Sequence, residues 1–206
     1  MPASDRCDMG PFRALIQPRH PLDIVEFIAF DRGARLESAL AKVMGCAAPA
    51  PGNAVHVGEL AILWAGPWRW QVVIAAGLHR KTISDVKAAC DDVTAVIDQS
   101  HGKFCLSLSG ECARDILAAG SAVDFRRGRF VAGNCAATAW ESISVLVHAC
   151  AREGRDVIDI YVRRSWARCL AERLLAVGRE YNTVLLPAPE AAAIDPASIS
   201  RIDNSH

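Results

Sequence analysis

The chain has 206 residues, 51% of them hydrophobic, and its 23 basic side chains balance its 23 acidic ones. That length suits one well-cored domain, and the charge balance removes the net field that draws a protein to nucleic acid. No apolar run approaches the roughly 20 residues needed to cross a bilayer.

The first stretch, MPASDRCDMG, has no apolar core and does not read as a secretory signal. Residues 1–21 carry Pro2, Pro11, Pro18 and Pro21 and are expected to form a flexible N-terminal arm. The run 22–30, LDIVEFIAF, suits a strand or a short buried helix, and a strand is expected. Leu36, Leu40 and Val43 then fall at helical spacing, with Gly45 as the stop and APAPGN as the following loop.

Leu60, Ile62 and Trp64 alternate with Ala61 and Leu63. Trp70, Val72 and Ile74 resume the alternation beyond Ala65-Gly66-Pro67-Trp68, which predicts a hairpin. A short helix is expected near Ser84–Cys90, then a strand through Val93, Ala95 and Ile97. After the polar turn from Asp98 to Gly102, Phe104, Leu106 and Leu108 mark another strand. A helix through Cys112, Ala113, Ile116 and Leu117 follows, with Ser109 as its expected N-cap and Gly120 as its end. A second hairpin carries Ile143, Val145 and Val147 on one arm and Ile158, Ile160 and Val162 on the other. The last helix is expected to start at Ser165 and to turn Trp166, Leu170, Leu174 and Val177 inward. Residues 187–206 lose amphipathic order and read as a mobile tail.

The chemistry-bearing residues do not form a catalytic signature. Cys105, Cys112 or Cys135 with His101 or His148, or Ser100 with His101, are the candidate nucleophile and base, but nothing in their spacing joins them. Neighbours such as Ser100 and His101 point to opposite faces of a strand, and His148 is expected on the face opposite Val145 and Val147, exposed or hydrogen-bonded. His56, His79, His101 and His148 lack metal-ligand spacing, and the eight cysteines include no CxxC pair, so free thiols are expected. Adjacent Asp91 and Asp92 read as solvated, and Asp98 as the cap of its turn. Trp64, Trp70 and Trp166 read as core. Trp68 and Arg69, at the hairpin tip, are the residue types enriched at binding hot spots and form the expected partner contact. No catalytic, cofactor-binding or metal-binding residue is assigned.

Five strings in one order carry a resemblance: DxSHG, LSGxxARDxLAxG, DF, FxxGxCAxTxxxxxSVLVH and DIYVxRSWAxxLxxxL, covering Asp98 to Leu174. This series resembles the gamma subunit of heterotetrameric sarcosine oxidase, a family related to the first domain of the glycine cleavage T-protein. The hairpin string GPWRW departs from that family, which generally carries an acidic residue after GP. The resemblance implies an α+β fold, a single domain over 22–186 with a mixed or antiparallel sheet and helices on one face. It also implies a structural subunit, cytoplasmic, whose partners are alpha, beta and delta subunits. FAD, FMN, NAD and tetrahydrofolate would then sit on those other subunits, and none on this chain. The rival readings are a stand-alone folate-binding aminomethyltransferase-like protein and a small cysteine or serine hydrolase.

Overall fold

Proline density predicts an arm before Leu22, yet Ala14–Arg19 forms strand β1. It lies between β7 (Lys103–Ser109), which it meets antiparallel, and the short β11 (Thr183–Leu185), which it meets in parallel. The Ile16 carbonyl accepts from the Leu186 amide at 2.9 Å, so the even-numbered residues of β1 turn their backbone toward β11. Pairing with β11 stops at Ile16, and Pro18 therefore lacks its N–H on a side where no strand asks for it. The flexible-arm expectation is thus corrected for Ala14–Arg19. The computed structural model describes residues 13–75, 80–90, 93–152 and 154–187, so residues 1–12 of the arm and all but the first residue of the expected tail lie outside the described residues, as do Asp91 and Asp92.

Strands β2 (Leu22–Ala29), β3 (Ala54–Val57), β4 (Leu60–Gly66), β5 (Arg69–Ala75) and β6 (Thr94–Asp98) form one antiparallel sheet in the order β3-β4-β5-β2-β6. Strands β8 (Cys135–Trp140), β9 (Ile143–Arg152) and β10 (Arg155–Arg163) join β1, β7 and β11 in a second sheet, ordered β11-β1-β7-β10-β9-β8. Helices α1 (Ala34–Met44) and α2 (Arg80–Cys90) belong with the first sheet, and α3 (Ala113–Gly120) and α4 (Arg164–Gly178) with the second.

Three apolar clusters define the layers. Leu106, Leu108, Val145, Val147, Ile158 and Ile160 pack under α3 and α4 with Ile116, Leu117, Leu170 and Leu174. Phe27, Ile62, Val72 and Ile74 pack under α1 and α2 with Leu36, Leu40 and Val86. Between the sheets, Cys105, Leu146 and Tyr161 meet Ile24, Leu63 and Val73. Each sheet therefore carries helices on one face, as expected for the α+β class, and turns its other face to the second sheet. That second contact is why β9 and β10 are buried on both faces rather than alternating with solvent.

Two helix starts differ from expectation. Ser109 ends β7, and Cys112 occupies the N-cap position of α3 with no side-chain hydrogen bond; α4 begins at Arg164, which puts Ser165 inside its first turn. Trp166 is 50% exposed, not core. The buried face of α4 is turned toward the small residues Ala171 and Gly178, which bring the helix close to its neighbours, and an apolarity count alone overlooks such residues.

Candidate functional site at the seam between the sheets

Strand alternation aims Asp159 of β10 away from the helices and into the seam, together with Tyr161 on its own strand. Register places Ser107 of β7 on one side of it and His148 of β9 on the other. Asp159 is completely buried, and its carboxylate accepts four hydrogen bonds. Oδ1 accepts from the Ser107 hydroxyl at 2.5 Å. Oδ2 accepts from Arg19 and from Arg152, each at 2.8 Å, and from the Tyr161 hydroxyl at 3.4 Å. Burial alone would raise this carboxyl's pKa, but the two guanidinium groups and the Ser107 hydrogen bond outweigh it and hold the carboxyl below its usual range.

His148 is buried and stands 3.2 Å, Nε2 to Nε2, from the exposed His56 of β3 on the opposite sheet. Its Nδ1 has no partner. Burial lowers its pKa to about 4, against a partly compensating pull from Asp159, and burial with the Arg19 charge lowers that of His56 as well. Cys150 is close by, receiving a 3.5 Å contact from Arg152, and ligand atoms of His148, Cys150 and Asp159 lie within 4.8 Å of one another. Burial pushes the Cys150 thiol up to about 11, so it is not a nucleophile near neutral pH. These groups line a cavity of about 140 Å³.

The other sequence candidates fall elsewhere. Cys105 is buried and its thiol pushed well up by burial. Cys135 donates to the carbonyls of Asn53 and Trp64, and its thiol is raised to about 11, mainly by burial. Ser100 accepts from the Ile24 amide and donates to Asp98, while His101 is exposed, so no dyad forms between them. Asp98 does cap its turn, accepting from the Ser100 amide at 2.9 Å. Cys46, Cys105, Cys112, Cys135, Cys150 and Cys169 are free thiols. His148 is hydrogen-bonded rather than exposed, and the scattered histidine reading is corrected for His56 and His148, which meet. Sequence spacing could not show this, because 92 residues separate them. The available signal was a charged residue and a histidine in phase within otherwise apolar strands.

The predicted hairpin tip also forms. Trp68 stands 49% exposed at a left-handed position (φ 58°), and Arg69 folds back on Glu26 at 3.3 Å. Beside the tip an open cleft of about 690 Å³ is lined by Arg69, Lys103, Arg163, Thr138 and Ser144, with Glu26 among them. Lys103 donates to Gln71 at 2.5 Å, and desolvation lowers its pKa.

The model of the "Sarcosine oxidase, gamma subunit family" matches residues 32–176, from before α1 to near the end of α4. The chain belongs to the sarcosine oxidase gamma subunit family. The matched segment holds His56, Trp68, Arg69, His148 and Asp159, whereas Arg19 lies outside it. Among solved structures, the heterotetrameric sarcosine oxidase of Corynebacterium sp. U-96 has a similar chain, 21% identical with a TM-score of 0.73, over 86% of this chain and 90% of that one. The glycine cleavage system aminomethyltransferase T of Bartonella henselae is 15% identical with a TM-score of 0.66, over 85% of this chain. This chain spans 48% of that aminomethyltransferase. Among curated proteins, no sequence match is found.

Proposed function

We propose that this chain is the non-catalytic gamma subunit of a heterotetrameric sarcosine oxidase, in which it shields and orients the larger subunits. The complex oxidises the N-methyl group of sarcosine, releases glycine and hydrogen peroxide, and passes the one-carbon unit to tetrahydrofolate. FAD, FMN, NAD and tetrahydrofolate belong to the other subunits, the partners are the alpha, beta and delta chains, and the location is the cytoplasm. The observation that carries this reading is the family match across residues 32–176.

The geometry supports the non-catalytic part. The buried thiols Cys105, Cys135 and Cys150 are all pushed up, and Asp159 is held in ion pairs with Arg19 and Arg152. Trp68, by contrast, offers an anchor of the kind that hot spots use. No helix of the described residues is long and apolar enough to cross a membrane.

Co-expression with the alpha, beta and delta subunits tests the proposal. Tagged chain is expected to bring all three down, and by itself to be colourless and inactive toward sarcosine. Flavin bound at one equivalent to the lone chain overturns it, and saturable tetrahydrofolate binding to the lone chain would favour an aminomethyltransferase-like role instead.

A further inference from the structure

The seam cavity has a charge pattern that its structural role does not require. Arg19 and Arg152 bring two positive charges to one carboxylate, Asp159, and the histidines are neutral near pH 7. Glu59 is the other acid lining the space, and it is exposed. Both arginines line the cavity beside Asp159, and their side chains remain about a third exposed, at 33% and 37%. The buried His148 lines the same space with an unpartnered Nδ1, an arrangement that native interiors rarely leave unsatisfied. A volume of about 140 Å³ holds a few waters or one ion of four or five heavy atoms.

We propose that this cavity binds a small oxyanion, a carboxylate or inorganic phosphate, held by Arg19, Arg152 and the His56–His148 pair. Charge decides against a divalent cation, although His148, Cys150 and Asp159 are metal-ligating types within 4.8 Å of one another. Such a cation would sit against two guanidinium groups, and it would compete for a carboxylate that those groups already hold at 2.8 Å. Among the groups not exposed to solvent, Asp159 offsets one of the two guanidinium charges and leaves the other for a monoanion, Glu59 being exposed, and planar guanidinium forks suit paired oxygens. Arg19 comes from β1, His56 from β3 of the facing sheet, and Arg152 and His148 from β9, so an anion there would tie both sheets together. This site stands whether or not the subunit assignment does.

The test is calorimetric titration of the full chain at constant ionic strength, with phosphate in one series and acetate in another. Saturable one-to-one binding is expected with at least one of them; acetate alone indicates a carboxylate ligand, and phosphate alone a phosphate ligand. Arg19→Gln is expected to weaken it about tenfold or more, as loss of a charge-assisted bond should. The surface variant Arg126→Gln should bind unchanged. His56→Gln, an exposed position, gives a second reading should Arg19→Gln lose its fold on thermal melting. Heats that never saturate with either ion overturn the proposal. So does binding that neither variant weakens, or one-to-one zinc binding that Arg19→Gln leaves intact.

Discussion

His56 and His148 meet Nε2 to Nε2 at 3.2 Å across the seam, one imidazole from each sheet. This contact requires at least one neutral ring, because a hydrogen bond between them needs an acceptor nitrogen. Unfolded, His148 takes up a proton as the pH falls through about 6.5; folded, it resists until about 4. Between those values the unfolded chain binds more protons, so stability falls with falling pH, by on the order of 3 kcal/mol. Urea midpoints measured across that window should drop toward acid, and in His148→Gln the drop should flatten. An equal slope in both chains would show that the pair does not govern it.

Arg114 is buried and clamps the loop after α3. It donates to the carbonyls of Phe125 and Phe130 at 2.8 and 2.6 Å and forms a forked pair with Asp156 at 2.8–3.0 Å. Arg114→Ala leaves both carbonyls unpaired beside the core and is expected to cost roughly 2–4 kcal/mol, softened because Asp156 is partly solvated. Arg114→Lys should recover little, since a point charge cannot span the same acceptors. Denaturant midpoints of the two variants check this.

Gly120, at the end of α3, lies against the Trp140 indole, where an added Cβ would stand 2.4 Å from a ring carbon. Trp140 is 1% exposed and donates to the Leu117 carbonyl, so the ring has little freedom to retreat. Gly120→Ala should therefore destabilise by about 1–3 kcal/mol despite the better helix propensity of alanine. A thermal melt above that of the parent chain would refute the steric reading.

Trp68 holds a left-handed backbone that glycine adopts without strain. Trp68→Gly should fold as stably as the parent, within about 0.5 kcal/mol, yet lose the exposed indole. If the tip anchors the larger subunits, this variant and Arg69→Ala should weaken assembly by about tenfold or more, read by co-purification or sedimentation. Full recovery of the complex from Trp68→Gly would remove the tip from the interface.

Alternation of apolar side chains at 60–64, 70–74, 104–108, 143–147 and 158–162, with the Gly45 stop, was enough to place the two hairpins, α1 and β7 and to set the α+β class. The order of five motifs placed the family. Local pattern carries these because backbone period and turn chemistry act over a few neighbouring residues. β1 and β11 depend on each other across the chain, and β1 tolerates Pro18 because its pairing with β11 ends at Ile16. The division into two facing sheets, and with it the burial of Asp159, the convergence of Arg19 and Arg152, and the meeting of His56 with His148, was settled by tertiary packing. Arg19, Arg152 and Asp159 share one sheet and meet through its strand order, 7 to 140 positions apart, whereas His56 and His148, 92 positions apart, come within bonding distance only because one sheet stacks on the other.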